Sequence, residues 1–565
     1  MLHLALWRFV CSSSRVRLIV AAALALVAVV ASSARGSEST GAVVLSTETI
    51  GVWQVIARRD ADGVDYCIAR RELGGTGADQ PRLFEFVRTK KQRSLRIVAD
   101  AWTLPRDVAL PITIDAGARV RGRSEAMLSS PVTLYVALGD MLTTLARIVD
   151  VPSIEVRMAD LTLTLPLADV AEMRAALASC ITERLGANYA GITVEYPVLP
   201  RDPDVEEERM MLPVRIGGEI YRLDTLVARP AGVSGRLPIA LIGHGQGAAE
   251  VTSAYSVMLM QRQARDLAQR GYLAVAMIRR SFGNSDGIPG LPGGAPYSTC
   301  EPHLQTLFDA TADDLAATLA AIAARPDADP DRVILIGQSA AGPASLALAA
   351  RSLPGLRAVV MISGGVRCGS GNNADLGTLR QTPDFLARML ASFGGRITVP
   401  SLWIYAANDS YFSEPMAREM HAVYSGAGAP ADFAMVGDLG EDGHNLFTAF
   451  EGRERWLAAL DMFLQRHDLP TWANDLVDQV MRQGGIPPAN RYQVLAFLWS
   501  VTPRVLVVDR ATGRLFRAAM DSGLYDARVA AVMSCLEQGR GTGCELLMEN
   551  FRLMPPPATE GRRAR

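Results

Sequence analysis

The stretch that decides the fold is Val333-Ile-Leu-Ile-Gly-Gln-Ser-Ala-Ala-Gly342, with a segment of mostly small residues, 343–351, directly after it. The apolar run Val333–Ile336 predicts a buried strand, and the segment after Gly342 predicts a helix. A nucleophilic serine on a strand-to-helix turn needs a tight, strained backbone, so its neighbours must be small. The residues that meet this need are Gly337, Ala340, Ala341 and Gly342. We therefore predict that Ser339 is a nucleophile.

Further apolar runs, separated by helical segments, lie on both sides of this stretch between about residues 210 and 467. They are Ile239–Ile242, Leu273–Ile278, Ala358–Ile362 and Leu402–Tyr405. Short continuous apolar runs with helices between them are typical of a mostly parallel sheet that is covered on both faces. The sequence thus predicts an α/β domain over 210–467.

The histidine that would activate this serine can be found by elimination. A nucleophile on such a turn is followed in the chain by its acid and then by its histidine, and only three histidines follow Ser339. His421 lies within a helical pattern and His467 ends another, so both are interpreted as surface histidines. His444 lies in the polar, glycine-rich loop Gly440–Asn445. Because a catalytic imidazole needs a loop that carries it over the serine, we predict His444.

The acid should follow a strand between the serine and the histidine. Asp409 comes directly after the apolar run that begins at Leu402, whereas Asp375 and Asp384 follow no strand. Asp438 and Asp442 are too close in sequence to the histidine to be preferred. An acid here would orient the imidazole and stabilise its charged form. We predict Asp409, with a role as the N-cap of the following helix as the alternative.

A carbonyl under attack also needs two preorganised N–H donors for its oxygen, the oxyanion hole. The backbone of Ala340, which follows the nucleophile, is expected to supply one. The loop 244–247, directly after a predicted strand, is suited to supply the other because glycine lets the backbone approach closely. We favour the Gln246 N–H, with Gly245 as the neighbouring option, and interpret His244 as a structural residue of the loop.

The N-terminus has the pattern of an export signal. A positively charged start precedes the apolar run Leu18–Ala31, and small residues follow it. The run has about 14 residues, fewer than the roughly 20 that a membrane-spanning helix needs. We expect a signal peptide over 1–36, a periplasmic or secreted protein, and no stable membrane span in the mature chain. An uncleaved membrane anchor is the alternative.

Further regions flank the α/β domain on both sides. Residues 42–190 contain short segments of alternating apolar and polar residues and two helical patterns, which predict a smaller α+β or β-rich domain. The acidic stretch Arg201–Arg209 is interpreted as a linker. Residues 471–554 contain an apolar strand and a helix and predict a small C-terminal domain. The Pro- and Arg-rich stretch 555–565 predicts a disordered tail.

Six cysteines follow the predicted signal, an even number that fits disulfide bonds in an oxidising compartment. Domains generally fold as units, so each bond is expected within one region. The expected pairs are Cys67 with Cys180, Cys300 with Cys368, and Cys535 with Cys544. Two buried free thiols are the alternative for the second pair.

Composition and spacing argue against several kinds of partner. The net charge of −2 provides no basic domain for nucleic acid. No cysteine and histidine spacing indicates a zinc site, and the predicted chemistry needs no metal or organic cofactor. A small-molecule substrate is the expected partner.

Taken together, these motifs resemble the dienelactone hydrolase-like branch of the α/β-hydrolases. The stretches that carry the resemblance are 244–247, 279–287, 337–342, 405–409 and 443–444. The resemblance covers about residues 210–467 and implies an α/β-hydrolase domain in which Arg280 and Asp286 are structural. Dienelactone hydrolases have a cysteine nucleophile where this chain has Ser339. That difference points away from a dienelactone substrate and towards esters in general.

Together with the predicted signal peptide and the Ser339, Asp409 and His444 set, the resemblance leads us to expect an exported serine hydrolase that cleaves carboxylic esters through an acyl-enzyme. A peptidase or thioesterase with the same three residues is one alternative, and a non-catalytic binding protein on a hydrolase shell is another. The 42–190 region, with Trp53, Cys67 and Cys180, also resembles small exported domains of the invasion-associated locus B kind. That second resemblance implies a binding or accessory role.

Overall fold

A computed structural model gives the structure of most of the chain after the predicted signal. It describes residues 42–90, 93–189, 196, 199, 201–246, 254–289, 300–366, 386–471, 475–500, 503–520, 523–539 and 543–555. The predicted signal peptide, the predicted Cys300–Cys368 pairing and nearly all of the predicted tail lie outside this description. The chain divides into two compact units, one of Met1–Gly117 with Gly122–Gly191 and one of Ala118–Arg121 with Ile192–Arg565.

The first unit contains a ten-stranded sheet. Its strands are β1 (Val43–Ile50), β2 (Trp53–Arg59), β3 (Asp65–Glu72), β4 (Pro81–Arg88), β5 (Arg93–Ala99), β6 (Ala109–Asp115), β7 (Arg121–Ser130), β8 (Thr133–Ala137), β9 (Ser153–Met158) and β10 (Leu161–Pro166). The order is β1-β2-β3-β4-β5-β8-β7-β6-β9-β10, and the strand pairs with a described register are antiparallel. This region is therefore β-rich.

Two helices accompany this sheet, α1 (Met141–Arg147) and α2 (Val170–Arg184). The buried rings of Trp53 and Phe84 meet edge to face with centroids 5.2 Å apart, a favoured aromatic geometry. A disulfide bond between Cys67 on β3 and Cys180 on α2 joins the helix to the sheet.

Removing this disulfide should destabilise the protein more than removing the second one, Cys535–Cys544. The first bond spans a sequence separation of 113 residues and the second spans 9. In the chain-entropy model, paired Cys→Ala replacement should lower the free energy of unfolding by about 4 to 5 kcal/mol for the first bond and about 2 to 3 kcal/mol for the second. Calorimetric unfolding of both double variants measures the difference, and equal losses would contradict this explanation.

The second unit contains an eight-stranded sheet of mostly parallel strands. They are β11 (Val205–Ile216), β12 (Glu219–Pro230), β13 (Leu237–Gly243), β14 (Leu273–Met277), β15 (Ala328–Gln338), β16 (Leu356–Ile362), β17 (Ser401–Ala406) and β18 (Ala431–Val436). Their order is β11-β12-β14-β13-β15-β16-β17-β18. The pairs β11–β12 and β12–β14 are antiparallel, and all later pairs are parallel.

Helices cover both faces of this sheet. They are α3 (Gln261–Ala268), α4 (Cys300–Ala323), α5 (Ala341–Ala349), α6 (Glu414–Gly426) and α7 (Arg453–Arg466). Side chains of α4, α5 and α6 belong to one apolar core, and those of α3 and α7 belong to a second core. The strands between two cores are buried on both sides, which explains their continuous apolar runs.

The interpretation of Arg201–Arg209 as a linker is wrong from Val205 onward. This part of the stretch begins β11, whose residues pair one by one with β12 from Val205–Pro230 to Ile216–Glu219. The polar run Glu206–Arg209 is compatible with a strand because β11 is at the edge of the sheet, where charged side chains remain in water.

The C-terminal part of the second unit has its own small sheet. The strands of this sheet are β19 (Arg504–Asp509), β20 (Arg514–Ala519), β21 (Cys544–Glu549) and β22 (Arg552–Leu553), in the order β20-β19-β21-β22. The helices of this part are α8 (Asp475–Gly484), α9 (Arg491–Trp499) and α10 (Leu524–Gln538). The Cys535–Cys544 disulfide links α10 to β21.

A buried polar cluster connects this part to the helices of the α/β sheet. Asp461 on α7 accepts hydrogen bonds from Arg270 at 2.6 and 2.8 Å and from the Trp499 indole N–H at 2.8 Å. Both partners of the ion pair are almost fully buried.

Among the helices of the described residues, none has the length and apolar character needed to cross a bilayer.

Candidate active site

Ser339 lies where β15 turns into α5, at the carboxyl end of the central parallel strands. Its backbone has φ +50°, the left-handed region that costs energy for a residue other than glycine. Its N–H donates to the Ile362 carbonyl at 3.0 Å, and its own carbonyl accepts from Gly342 N–H at 2.9 Å. A Cβ on Gly337 would lie 2.2 Å from the Ala341 carbonyl oxygen. The turn thus requires glycine at position 337.

The structure brings the three predicted side chains together. His444 Nε2 lies 3.2 Å from Ser339 Oγ, and His444 Nδ1 lies 3.2 Å from each carboxylate oxygen of Asp409. The Asp409 side chain is fully buried, while the imidazole is 14% exposed. A serine hydroxyl, an imidazole and a buried carboxylate in this order can move a proton from the hydroxyl to the ring.

Asp409 is held by the backbone of the residues that follow it as well as by the imidazole. Its Oδ1 accepts from the N–H groups of Tyr411 and Phe412, both at 2.9 Å. Helix α6 begins later, at Glu414 after the N-cap Ser413. The carboxylate is therefore fixed by a local turn and does not cap the helix.

The loop that carries His444 is fastened to the end of β17 by two polar side chains. Asn408 Oδ1 accepts from Leu439 N–H at 2.8 Å. The carboxylate of Asp442 accepts from the N–H groups of His444 at 2.9 Å and Ser410 at 3.0 Å. Burial alone would raise the pKa of Asp442, but these hydrogen bonds lower it overall. Asp442 thus stays ionised and holds the loop in place.

The backbone predicted to hold the oxyanion lies beside the nucleophile. Ala340 follows Ser339 at the start of α5. A Cβ on Gly245 would lie 2.9 Å from Ser339 Cβ and 3.4 Å from its Oγ, so only glycine allows this approach. Gln246 comes next in the same loop and is partly buried.

Besides His444, three histidines have side chains that the structure describes. His244 is fully buried between the rings of Tyr255 and Phe282, both with centroids 4.8 Å away. His421 is half-buried, packs edge to face on Trp403 and hydrogen-bonds the Ala431 carbonyl, so it is not the surface residue that was predicted. His467 ends α7.

Arg280 and Asp286, the two residues that the resemblance marks as structural, both form ion pairs. Arg280 donates to Asp314 at 2.5 Å, and Asp286 accepts from the Arg222 backbone at 2.8 Å and side chain at 3.2 Å. Neither residue contacts the serine or the histidine in the described contacts. Within the described ranges, no group of three or more His, Cys, Asp or Glu side chains is placed to hold a metal ion.

Sequence reasoning did not identify Arg279, which contacts the loop beside the nucleophile. Its Nη2 donates to the Gly245 carbonyl at 2.8 Å, although 34 residues separate the two. The sequence did offer a signal, because two adjacent arginines, Arg279 and Arg280, begin one of the motifs that carry the resemblance. Only the structure shows which of the two arginines points to the loop.

The fold, together with a match to a family model, indicates a hydrolase of the α/β-hydrolase type, esterase-like or peptidase-like. Residues 218–393, less than a third of the chain, match the model of the X-Pro dipeptidyl-peptidase (S15) family. The resemblance to the α/β-hydrolases is thereby confirmed. A comparison with curated proteins finds no match.

Solved structures similar to the chain include three hydrolases. A putative dienelactone hydrolase from Klebsiella pneumoniae subsp. pneumoniae MGH 78578 is 21% identical, with 46% of this chain and 99% of that chain covered and a TM-score of 0.32. An acetyl xylan esterase from Paenibacillus sp. R4 is 18% identical, with 48% and 88% covered and a TM-score of 0.34. A dienelactone hydrolase-like promiscuous phosphotriesterase from metagenomic libraries is 17% identical, with 46% and 98% covered and a TM-score of 0.32.

Proposed function

We propose that the chain is a serine esterase that hydrolyses small carboxylic esters through an acyl-enzyme, with Ser339 as nucleophile, His444 as base and Asp409 as the acid that orients it. The observation that carries this proposal is the position of the imidazole, 3.2 Å from both the serine hydroxyl and the carboxylate. That geometry gives the imidazole one acceptor nitrogen for the serine proton and one donor nitrogen for the carboxylate.

In the first half of the reaction, Ser339 Oγ forms a bond to the acyl carbon while its proton moves to His444 Nε2. The negative charge on the carbonyl oxygen is stabilised by the N–H groups of Ala340 and Gln246, with the Gly245 N–H as the neighbouring option. Asp409 stabilises the positive imidazolium. The tetrahedral intermediate then expels the alcohol, which takes the proton from His444.

In the second half, a water molecule replaces the alcohol. His444 removes a proton from the water as it attacks the acyl carbon, and the bond to Ser339 breaks. The acid product leaves, and the proton returns to Ser339 Oγ. The reaction needs no metal or organic cofactor because the hydroxyl, the imidazole and the backbone N–H groups supply each step.

A peptidase is the second candidate, because the family model that matches residues 218–393 is that of an X-Pro dipeptidyl-peptidase. The same three side chains can attack an amide. An amide differs from an ester because its leaving nitrogen must be protonated before it departs. The imidazole must therefore be positioned to give its proton to that nitrogen.

We also infer that the chain works in an oxidising compartment, the periplasm or the outside of the cell. Two disulfide bonds, Cys67–Cys180 and Cys535–Cys544, support this proposal, because such bonds persist mainly in exported proteins.

A fluorophosphonate probe and a substrate panel test the proposed function. The full chain should be labelled by the probe and should hydrolyse nitrophenyl esters of increasing acyl length. Turnover of X-Pro nitroanilides should be much slower, since amides are the less reactive acyl compounds. Labelling with faster anilide turnover would establish the peptidase instead. No labelling and no turnover of either class would refute both and favour a binding protein.

A further inference from the structure

The carbonyl oxygen of Gly245 is held from two sides. Arg279 Nη2 donates to it at 2.8 Å, and His244 Nδ1 lies 2.8 Å from it. The other ring nitrogen, His244 Nε2, accepts from the backbone N–H of Arg279 at 3.1 Å. Because Nε2 is an acceptor, the ring proton is on Nδ1, and this N–H donates to the Gly245 carbonyl.

This histidine is suited to a permanent structural role. Burial and the nearby Arg279 charge hold the pKa of His244 well below its usual value. The ring therefore remains neutral at neutral pH and keeps one donor nitrogen and one acceptor nitrogen. Its hydrogen bonds to the loop do not switch with ordinary changes of pH.

Arg279 is itself fixed in place. Its Nη1 donates to Thr311 Oγ1 on α4 at 2.8 Å, and its guanidinium lies over the Phe282 ring at 4.5 Å. Its Nη2 also reaches Gln246 Oε1 at 3.3 Å. The side chain is almost fully buried, and burying a cation costs free energy unless its hydrogen bonds are made. Of the three oxygens to which this guanidinium donates, the Gly245 carbonyl and Gln246 Oε1 belong to the loop beside the nucleophile.

Holding the Gly245 carbonyl also fixes the next N–H group. In a trans peptide the C=O and the following N–H point in opposite directions. With the Gly245 oxygen turned towards Arg279 and His244, the Gln246 N–H points away from them. Hydrogen bonds along a peptide polarise one another, so a charged donor on the carbonyl makes this N–H a stronger donor.

We propose that Arg279, together with His244, is a positioning residue that aims and strengthens the Gln246 N–H as an oxyanion donor. The proposal rests on the proposed function, because it presumes that Ser339 attacks a carbonyl. Arg279 acts through the peptide and does not itself touch the substrate. Its loss should therefore weaken the transition state more than the binding of the ester.

The test compares Arg279→Met and Thr311→Val with a matched control, Thr318→Val. Thr318 lies on the same helix, is equally buried and bonds only the Asp314 carbonyl in the described contacts. Arg279→Met should lower kcat about 100-fold with little change in KM, as expected for the loss of one oxyanion donor. Thr311→Val, which only loosens the guanidinium, should lower kcat about three- to tenfold. Thr318→Val should leave kcat unchanged.

Affinity for a trifluoromethyl ketone gives a readout that a general structural defect would not reproduce, because its adduct carries an oxyanion. This affinity should fall in parallel with kcat across the variants, while thermal unfolding shows that they are folded. If Arg279→Met does not fold, the kcat and the inhibitor affinity of Thr311→Val test the proposal instead. Unchanged kcat in the folded variants, or equal losses in Thr311→Val and Thr318→Val, would overturn the proposal. Failure of the proposed function is distinguishable, since the unmodified chain would then not react with the fluorophosphonate probe.

Discussion

Ser339→Ala is expected to reduce ester turnover by at least about 1,000-fold and to abolish labelling by a fluorophosphonate, because removing the nucleophile of such a triad costs several orders of magnitude. The fold should survive. Alanine keeps the small Cβ that the tight turn accepts, and the φ of +50° strains alanine about as much as serine. Turnover with nitrophenyl esters and mass-spectrometric detection of the adduct measure the result.

Ser345→Ala is the matched control for this variant. Ser345 is fully buried on α5, six residues after the nucleophile, and its hydroxyl bonds only the Ala341 carbonyl at 2.7 Å in the described contacts. Its replacement should leave labelling and turnover close to those of the unmodified chain. If Ser339→Ala kept more than about a tenth of the activity, the assignment of the nucleophile would be wrong, because the remaining oxyanion site alone gives far weaker catalysis.

The central sheet and the serine turn could be predicted because their signals are local. A strand buried on both faces needs a continuous apolar run, and a strained turn needs small neighbours. The structure gives the physical reason for the two glycines of this turn. A Cβ on Gly337 would clash with the Ala341 carbonyl, and one on Gly342 would lie 2.4 Å from the Met361 side chain. Such steric requirements restrict the residue type at a position, so they can be recognised in the sequence.

Chain order, together with the local sequence context, selected three side chains that meet in the structure. Once the serine was found, the loop position of His444 and the strand end before Asp409 left few choices. Their distances agree with the predicted arrangement, although their catalytic roles remain a prediction. The structure also agrees with the choice not to assign Asp442 as the acid, because its carboxylate accepts hydrogen bonds from the backbone N–H groups of His444 and Ser410.

The long-range polar contacts of the site and of the fold could not be predicted, since they join residues far apart in sequence. Arg279 reaches Gly245 from 34 residues away, and Arg270 pairs with Asp461 from 191 residues away. Composition does not tell which of many arginines makes such a bond. The edge strand β11 was missed for another reason. Its charged residues look like a linker because pairing on one side leaves them in water.

His444→Ala is expected to be nearly as damaging as loss of the nucleophile, again by at least about 1,000-fold in kcat, since the members of a triad act as a unit. Without the imidazole, no group described within hydrogen-bonding distance of Ser339 Oγ can take its proton. Asp409→Asn should cost about 10,000-fold, because an amide can hold the ring in the wrong tautomer and cannot stabilise the imidazolium. Single-turnover kinetics with a nitrophenyl ester measures both losses at the acylation step.

His421→Ala is the control that separates catalysis from a general loss of histidine. His421 packs against Trp403 and bonds the Ala431 carbonyl, so its replacement removes buried contacts on α6 without touching the serine. We expect a lower melting temperature, because a half-buried ring leaves a gap, and nearly unchanged kcat once the variant is folded. The opposite pattern, an inactive His421→Ala beside an active His444→Ala, would show that the wrong histidine was selected. It would also leave the 3.2 Å contact between His444 and Ser339 without a catalytic role.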